Sequence, residues 1–112
     1  MKDQMLKSHC QACESGVGLL DAAALHEAMR HLPDWQLTDD GKSILRVFEF
    51  ENFYKTMAFV NAVAWIANRE DHHPDLEVGY SRCTVTYSTH SAGGITQNDL
   101  VCAAAIDALS GE

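Results

Sequence analysis

Three histidines and one aspartate lie close together along the chain and have the side chains for proton-transfer chemistry. His72 and His73 are adjacent, His90 follows a second alternating run, and Asp99 lies just beyond it. Histidine is the side chain whose unperturbed pKa lies nearest neutral pH, so several in one pocket suit paired proton donation and abstraction. Loop side chains at strand ends can converge on a rigid scaffold, and these residues therefore indicate an acid–base site.

The same residues permit two other interpretations. Three histidines with a carboxylate match the ligand types of zinc or iron, although adjacent histidines rarely reach one ion together. The histidines could instead hydrogen bond to backbone groups in loops. Asp99 could act only as the capping partner of Thr96, three residues earlier, at the start of a helix. Residue types alone leave proton transfer, metal binding and a structural role comparably supported.

Length and charge restrict the class of protein. The 112 residues have the size of one domain, and the formal net charge of −8 argues against nucleic acid or an anionic membrane as a direct partner. No apolar run approaches the roughly 18 residues of a membrane span, and no signal peptide is recognisable, so we expect a cytoplasmic protein. Phosphate-binding loops, dinucleotide fingerprints and nucleophile elbows are absent, which argues against nucleotide-dependent redox chemistry and triad hydrolysis.

The N-terminal segment has no regular apolar spacing. Residues 1–18 are therefore predicted to be a flexible tail, and residues 19–112 the folded domain. The tail contains Cys10 and Cys13, but a structural zinc site usually needs four ligands and no second pair is present. A thioredoxin-like site would need a βαβ context that this segment lacks. The other two cysteines fall on apolar faces and are expected to be small core residues.

Apolar spacing predicts helices and strands in the order α-β-β-α-β-β-α. The predicted helices run from Ala22 to just before Pro33, from Glu51 to Arg69, and from Gln97 to Leu109. The predicted strands are 34–38, 43–50, 76–80 and 83–89, with turns at Asp39–Lys42 and Ser81–Arg82. Strand pairs separated by helices predict an α+β fold, in which three helices pack on one face of a four-stranded antiparallel sheet.

The central helix, residues 51–69, is apolar around most of its circumference. One stripe is Phe53, Met57, Val60, Ala64 and Ala67, and a second is Phe59, Val63 and Ile66. A helix that is apolar nearly all round must be buried on more than one side. We therefore expect one side to face the sheet and the other a second subunit, giving a homo-oligomer. The alternative is that the N-terminal tail covers the second stripe.

Several motifs, taken together, resemble the pterin-4a-carbinolamine dehydratase family. They are His72-His73-Pro74, Tyr80, Thr89-His90, Gly93-Gly94-Ile95-Thr96 and Asp99. The family signature has His-His-Pro, an aromatic residue after five intervening positions, a histidine after nine more and an aspartate after about eight more, and these spacings hold here. The resemblance spans roughly Leu20 to Leu109, and the tail is similar to bacterial members. One departure is Asn68, where the family often has a charged residue that Arg69, Glu70 or Asp71 could replace.

The resemblance implies dehydration of a 4a-hydroxytetrahydropterin to the quinonoid dihydropterin, which recycles the cofactor of aromatic amino acid hydroxylases. An acid must protonate the departing hydroxyl at C4a, and a base must take the proton from N5. By the resemblance, His72 and His90 are the acid and base in either order, and His73 chiefly binds the pterin ring. Asp99 would orient a histidine or stabilise its charged form. No metal or other cofactor is implied.

The resemblance also implies substrate contacts and partners. Pro74 and Thr89, with His73 and His90, are expected to bind the substrate. Family members form tetramers through the long central helix, and an aromatic amino acid hydroxylase is an implied functional partner. Animal members also act as dimerisation cofactors of a homeodomain transcription factor, so the alternative is a non-catalytic pterin-binding or regulatory dimerisation protein. A third possibility is action on another pterin, as in molybdopterin metabolism.

Overall fold

The computed structural model describes residues 18–109, which contain three α-helices and four strands. These are α1 Ala22–Met29, β1 Gln36–Leu37, β2 Ile44–Glu49, α2 Phe53–Glu70, β3 Asp75–Val78, β4 Arg82–Tyr87 and α3 Gln97–Leu109. Their order confirms the predicted α-β-β-α-β-β-α arrangement. Residues 1–17 of the predicted tail, with its cysteine pair, lie outside the described residues. None of the helices in residues 18–109 combines the length and apolarity needed to cross a membrane.

The four strands form one antiparallel sheet in the order β1-β2-β4-β3. Ile44 on β2 lies opposite Tyr87 on β4, and Asp75 on β3 lies opposite Thr86 on the other edge of β4. Because successive strand residues point to opposite faces, alternate residues form one buried side. These buried residues are Ile44, Phe48, Cys83, Val85 and Tyr87. The helices cover this side, which confirms the predicted α+β fold.

Cys83 and Cys102 are both buried in this core. Cys83 lies on β4 and Cys102 on α3, so the two cysteines come from opposite layers of the fold. Burial raises the pKa of the Cys83 thiol, which keeps it neutral. Both cysteines therefore behave as the small core residues that the sequence predicted.

Helix α1 begins as predicted but ends early. The Asp21 side chain accepts a hydrogen bond from the Ala24 N–H at 2.8 Å and caps the helix. The helix ends at Met29 rather than just before Pro33. The N–H groups of residues 30–32 each donate to the carbonyl three residues earlier, which is 3₁₀ geometry. Pro33 indicated where the helical segment must stop, but it could not indicate that the last turn before it is 3₁₀ rather than α-helical.

The sequence located the first hairpin turn correctly, whereas the second differs from its prediction. Gly41 has a φ of 71°, the left-handed conformation that the predicted Asp-Gly turn requires. In the second hairpin, β3 ends at Val78 and β4 begins at Arg82, so the connection is longer than the predicted Ser81–Arg82 turn. The Gly79 N–H donates to the Arg82 carbonyl at 2.7 Å, and this hydrogen bond starts the turn earlier.

Helix α2 has one broad buried face instead of two separate stripes. Its buried residues are Thr56, Val63, Ile66, Ala67 and Glu70, and Phe59 and Val60 also pack against the core. Members of both predicted stripes therefore share one face, because the sheet and α3 together cover a wide arc of the helix. Large apolar side chains of the helix still face solvent, namely Phe53, Tyr54 and Trp65, which are 49%, 76% and 63% exposed.

Candidate active site

An unusual backbone turn at the end of α2 sets the direction of the paired histidines. Asp71 ends the helix in the left-handed conformation, with φ 51° and ψ 42°. It is the one residue besides glycine with positive φ in the described part of the chain. The His72 N–H still donates to the Ala67 carbonyl at 3.1 Å, so the turn stays attached to the helix. Non-glycine residues in this conformation cluster at functional sites.

His72 is buried and paired with a carboxylate. Its Nε2 lies 2.6 Å from Oδ1 of Asp99, in the first turn of α3. The Tyr87 ring stacks on the imidazole with the ring centroids 5.6 Å apart and the planes within 8° of parallel. The carboxylate fixes one ring nitrogen and the tyrosine fixes the plane of the ring. His72 is therefore held in one orientation, as a proton-transfer group must be.

Asp99 has a second set of partners on its other oxygen. Oδ2 accepts hydrogen bonds from the Thr89 hydroxyl and from the Thr96 N–H, both at 2.8 Å. The contact with the Thr96 N–H is the capping interaction that the sequence suggested. The cap uses only Oδ2 of the carboxylate, and Oδ1 contacts His72. The capping and histidine-orienting interpretations of Asp99 are thus compatible.

His90 lies on a short closed loop beyond β4. The N–H of Thr89 donates to the Gly94 carbonyl at 2.8 Å, and the N–H of Gly94 donates back to Thr89 at 3.3 Å. This pairing closes the loop, whose first residues, His90–Ala92, form a 3₁₀ turn. Gly93 follows with a φ of 77°, which glycine adopts without steric cost. His90 is therefore exposed to solvent at the start of a loop whose two ends are held together by hydrogen bonds.

The end of α2 and this loop form the walls of one pocket of about 240 Å³. It is lined by Asp71, His72, His73, Ser88, Thr89, His90 and Ser91. The structure thus brings together the three histidines that the sequence singled out. Asp99 lies behind His72 and Pro74 lies outside the lining. The volume is just below the roughly 300 Å³ at which small-molecule sites usually begin, which suits a compact ligand.

His73 occupies the exposed edge of the pocket. Its Nε2 is 3.4 Å from Oδ1 of Asn68, a long contact that orients the ring only weakly. Asn68 is the position where the sequence lacks the charged residue that was expected. Arg69 does not replace that residue, since its Nε donates to the Glu70 carboxylate at 2.8 Å. Asn68 itself therefore contacts His73.

Tyr80, the aromatic residue of the sequence pattern, lies outside the pocket. Its ring stacks on Phe53 at 6.3 Å, and its carbonyl accepts a hydrogen bond from the Thr56 hydroxyl. It therefore joins the second hairpin to the start of α2. The residue that sequence reasoning missed is Tyr87. Tyr87 is buried on the core face of β4, and its contact with His72 depends on how the end of α2 packs on the sheet.

The geometry of residues 18–109 does not support the interpretation of the pocket as a metal site. Among residues 18–109, no three side chains of the histidine, cysteine, aspartate or glutamate types come close enough to hold one ion. The Nε2 of His72 faces the Asp99 carboxylate instead. The arrangement favours proton transfer, with one oriented imidazole and two exposed ones around a single pocket.

Comparison with known proteins identifies the family. The family model described as "Pterin 4 alpha carbinolamine dehydratase" matches residues 18–109. A protein of Nitrosospira multiformis named "Putative pterin-4-alpha-carbinolamine dehydratase" is 49% identical over 107 residues, covering 96% of this chain and 93% of its own. A protein of Legionella pneumophila strain Corby with the same name is 48% identical over 110 residues, covering 97% of each chain. The chain belongs to the pterin-4-alpha-carbinolamine dehydratase family.

Two solved structures share the fold. A crystal structure titled as a transcriptional coactivator/pterin dehydratase from Brucella melitensis superposes with a TM-score of 0.79 at 36% identity, covering 82% of this chain and 98% of the other. A pterin dehydratase-like protein, identified as a RuBisCO assembly factor of the alpha-carboxysome, gives a TM-score of 0.61 at 24% identity. It covers 70% of this chain and 92% of its own, and its likeness concerns the fold alone.

Proposed function

We propose that this protein dehydrates 4a-hydroxytetrahydropterin to quinonoid dihydropterin and water by histidine acid–base catalysis. The observation that carries the proposal is the pocket in which His72, paired with Asp99, lies beside His73 and His90. Membership of the family supports a pterin as the class of substrate. The three histidines provide more proton-transfer groups than a purely regulatory protein would need.

The reaction requires two proton transfers and no redox step. The C4a–O bond breaks as the hydroxyl is protonated and leaves as water, while N5 loses its proton and a C4a–N5 double bond forms. His72 and His90 perform these two transfers, in an order that the fold leaves open. Asp99 holds the His72 ring in one orientation, as in other histidine–carboxylate pairs.

The remaining predicted substrate contacts take different roles. His73 is at the exposed edge of the pocket, where its ring can contact the pterin. Thr89 lines the pocket, but its hydroxyl is hydrogen bonded to Asp99 and Thr96. We therefore assign that hydroxyl to the support of Asp99. Pro74 follows the paired histidines and restricts the backbone between them and β3.

The proposed activity is tested by following the ultraviolet absorbance of freshly generated 4a-hydroxytetrahydropterin. We expect the dehydration rate to rise in proportion to the concentration of added protein, because the histidines supply the acid and base. The matched control is the His26→Ala variant, since His26 is an exposed histidine on α1 outside the pocket. Failure of a correctly folded protein to accelerate the reaction would contradict the proposal and favour the pterin-binding or regulatory alternative.

Treatment with a strong chelator is expected to leave the dehydration rate unchanged. Acid–base catalysis by His72 and His90 needs no bound ion, and elemental analysis of active protein should find zinc and iron far below one per chain. Loss of activity in the chelator, restored by adding zinc or iron, would instead support the metal interpretation of the pocket.

We also propose that the protein is a homo-oligomer formed through α2. Tyr54 and Trp65 expose large rings on this helix, and Trp65 borders an apolar groove of about 360 Å³ between α2 and α3. Exposed apolar surface of this kind marks interaction sites. The dimer or tetramer, the link to a hydroxylase and the cytoplasmic location are predictions from the sequence.

Replacing Trp65 by glutamate is expected to shift the oligomer to monomer. A carboxylate placed in an apolar contact between subunits would lose its hydration, and the neighbouring Arg69 guanidinium would offset that cost only in part. Light scattering at micromolar concentration measures the change, with Leu37→Glu on β1 as the control at another exposed apolar residue. A wild-type protein that is monomeric under these conditions would refute the proposed interface.

A further inference from the structure

Two buried hydroxyl groups connect the Asp99 carboxylate to the start of α3. The Oγ1 atoms of Thr89 and Thr96 are 2.8 Å apart, and both side chains are buried. The Thr89 hydroxyl also lies 2.8 Å from Asp99 Oδ2, and the Asn98 N–H donates to the Thr96 hydroxyl at 3.3 Å. This chain of contacts lies behind His72, away from the solvent side of the pocket.

The number of protons fixes the direction of these hydrogen bonds. Each hydroxyl has one proton to donate. Thr89 donates its proton to Asp99, so the contact between the threonines requires the Thr96 hydroxyl to donate to Thr89. Thr96 in turn accepts from the Asn98 N–H. The chain therefore runs in one direction, and every proton in it points toward the carboxylate.

The carboxylate is then an acceptor at both of its oxygens. Oδ2 receives the Thr89 hydroxyl and the Thr96 N–H, so Oδ1 is left to accept from His72 Nε2 at 2.6 Å. A neutral imidazole has only one N–H, and its position follows from the hydrogen bond that the ring makes. With Asp99 as a carboxylate, this hydrogen bond forms only when the neutral ring carries its N–H on Nε2. Its Nδ1 is the nitrogen that can exchange a proton with a ligand.

We propose that Thr89 and Thr96 are positioning residues which hold neutral His72 in the Nε2–H form, with Nδ1 as its reacting nitrogen. Their hydroxyl groups act through Asp99 rather than on the substrate, although Thr89 also lines the pocket. Thr89 has a second structural role, because its backbone also closes the loop that carries His90. One residue thereby links the supports of the two histidines to which the proposed function assigns proton transfer.

The first test reads the state of His72 without any assay of activity. Nitrogen-15 chemical shifts of the imidazole, recorded where the ring is neutral, distinguish a protonated from an unprotonated nitrogen. We expect wild-type His72 to show a protonated Nε2 and an unprotonated Nδ1. A protonated Nδ1 in the wild-type protein would overturn the proposal, and this result needs no variant that could fail to fold.

The second test changes the hydroxyl alone. Thr89→Val keeps the shape of the side chain but removes the donor, whereas Thr89→Ser keeps the hydroxyl. The control is Thr86→Val, on the face of β4 opposite the buried Val85 and Tyr87. We expect Thr89→Val to lower the fraction of the Nε2–H form and Thr89→Ser to restore it. An unchanged tautomer in a folded Thr89→Val protein would overturn the role assigned to Thr89.

A kinetic measurement adds the consequence for catalysis and rests on the proposed function. We expect Thr89→Val to lower kcat by about 10- to 100-fold, the loss typical of one hydrogen bond to a charged group, with little change in KM. Thr89→Ser should recover most of the rate. If the protein has no dehydratase activity but the tautomer still depends on Thr89, the proposed function fails and this inference stands.

Discussion

Replacing His72 by glutamine is expected to slow the catalysed dehydration by about 10²- to 10⁴-fold, the usual contribution of one general acid or base. His72 is the imidazole whose position is fixed on two sides, by Asp99 and by Tyr87. The glutamine amide can still donate a hydrogen bond to Asp99, so the change removes proton transfer while it preserves a buried contact. The initial rate of carbinolamine loss measures the effect.

Two comparisons make the His72 result specific. His26→Ala removes an exposed histidine of α1 and should retain the wild-type rate, so it controls for general effects of losing an imidazole. Circular dichroism and thermal unfolding should show that the His72→Gln protein is folded. A folded His72→Gln protein with the wild-type rate would contradict the role assigned to this histidine.

Replacing Arg46 by methionine is expected to lower the free energy of unfolding by about 3–5 kcal/mol, because it breaks a buried ion pair from one side. Nη1 of Arg46 is 2.6 Å from Oδ1 of Asp107, whose side chain is only 1% exposed. The Trp35 Nε1–H donates to the same oxygen at 2.8 Å. Removing the guanidinium takes the cationic partner from a carboxylate that water cannot easily reach.

Urea unfolding measures this loss, and it should be done at low temperature because small domains have only about 5–15 kcal/mol of stability. Arg30→Met is the control, since Arg30 forms an exposed ion pair with Glu27 and exposed pairs contribute little. Removing both charges, as Arg46→Met with Asp107→Asn, should recover much of the loss, because the amide oxygen of asparagine can still accept the hydrogen bond from Trp35 Nε1–H. An Arg46→Met protein as stable as the wild type would show that Asp107 does not need its partner.

Local signals explain why much of the fold was predictable. Thr96 and Asp99 have the spacing of a helix cap, and α3 begins at Gln97 as that spacing predicts. Asp21 locates the start of α1 in the same way. The end of α1 and the start of the second hairpin turn lie earlier in the structure than in the prediction. Each depends on backbone hydrogen bonds that any residue can make.

The exposed side of α2 was not predictable from periodicity. Spacing showed that the helix is apolar almost all round, but it could not show how wide an arc the sheet and α3 cover. Val60 and Val63, which were assigned to different stripes, both pack against the core. Phe53, Tyr54 and Trp65 are the large apolar residues of α2 that remain exposed.

Convergence of the histidines was predictable, whereas their supports were not. His72 and His90 stand at opposite sides of the second hairpin in the sequence, and an antiparallel pair of strands brings such ends together. The stacking of Tyr87 on His72 arises from packing between the end of α2 and β4. The hydrogen bond from Thr89 to Asp99 joins residues in separate elements, so no local pattern indicated it.

The most direct measurement compares three dehydration rates of freshly generated 4a-hydroxytetrahydropterin under the same conditions. One rate is measured without protein, one with the wild-type protein, and one with the His72→Ala/His90→Ala double variant. We expect the wild-type protein to accelerate the reaction and the folded double variant to leave it near the uncatalysed rate. A double variant that accelerates dehydration as well as the wild type would contradict histidine acid–base catalysis in this pocket.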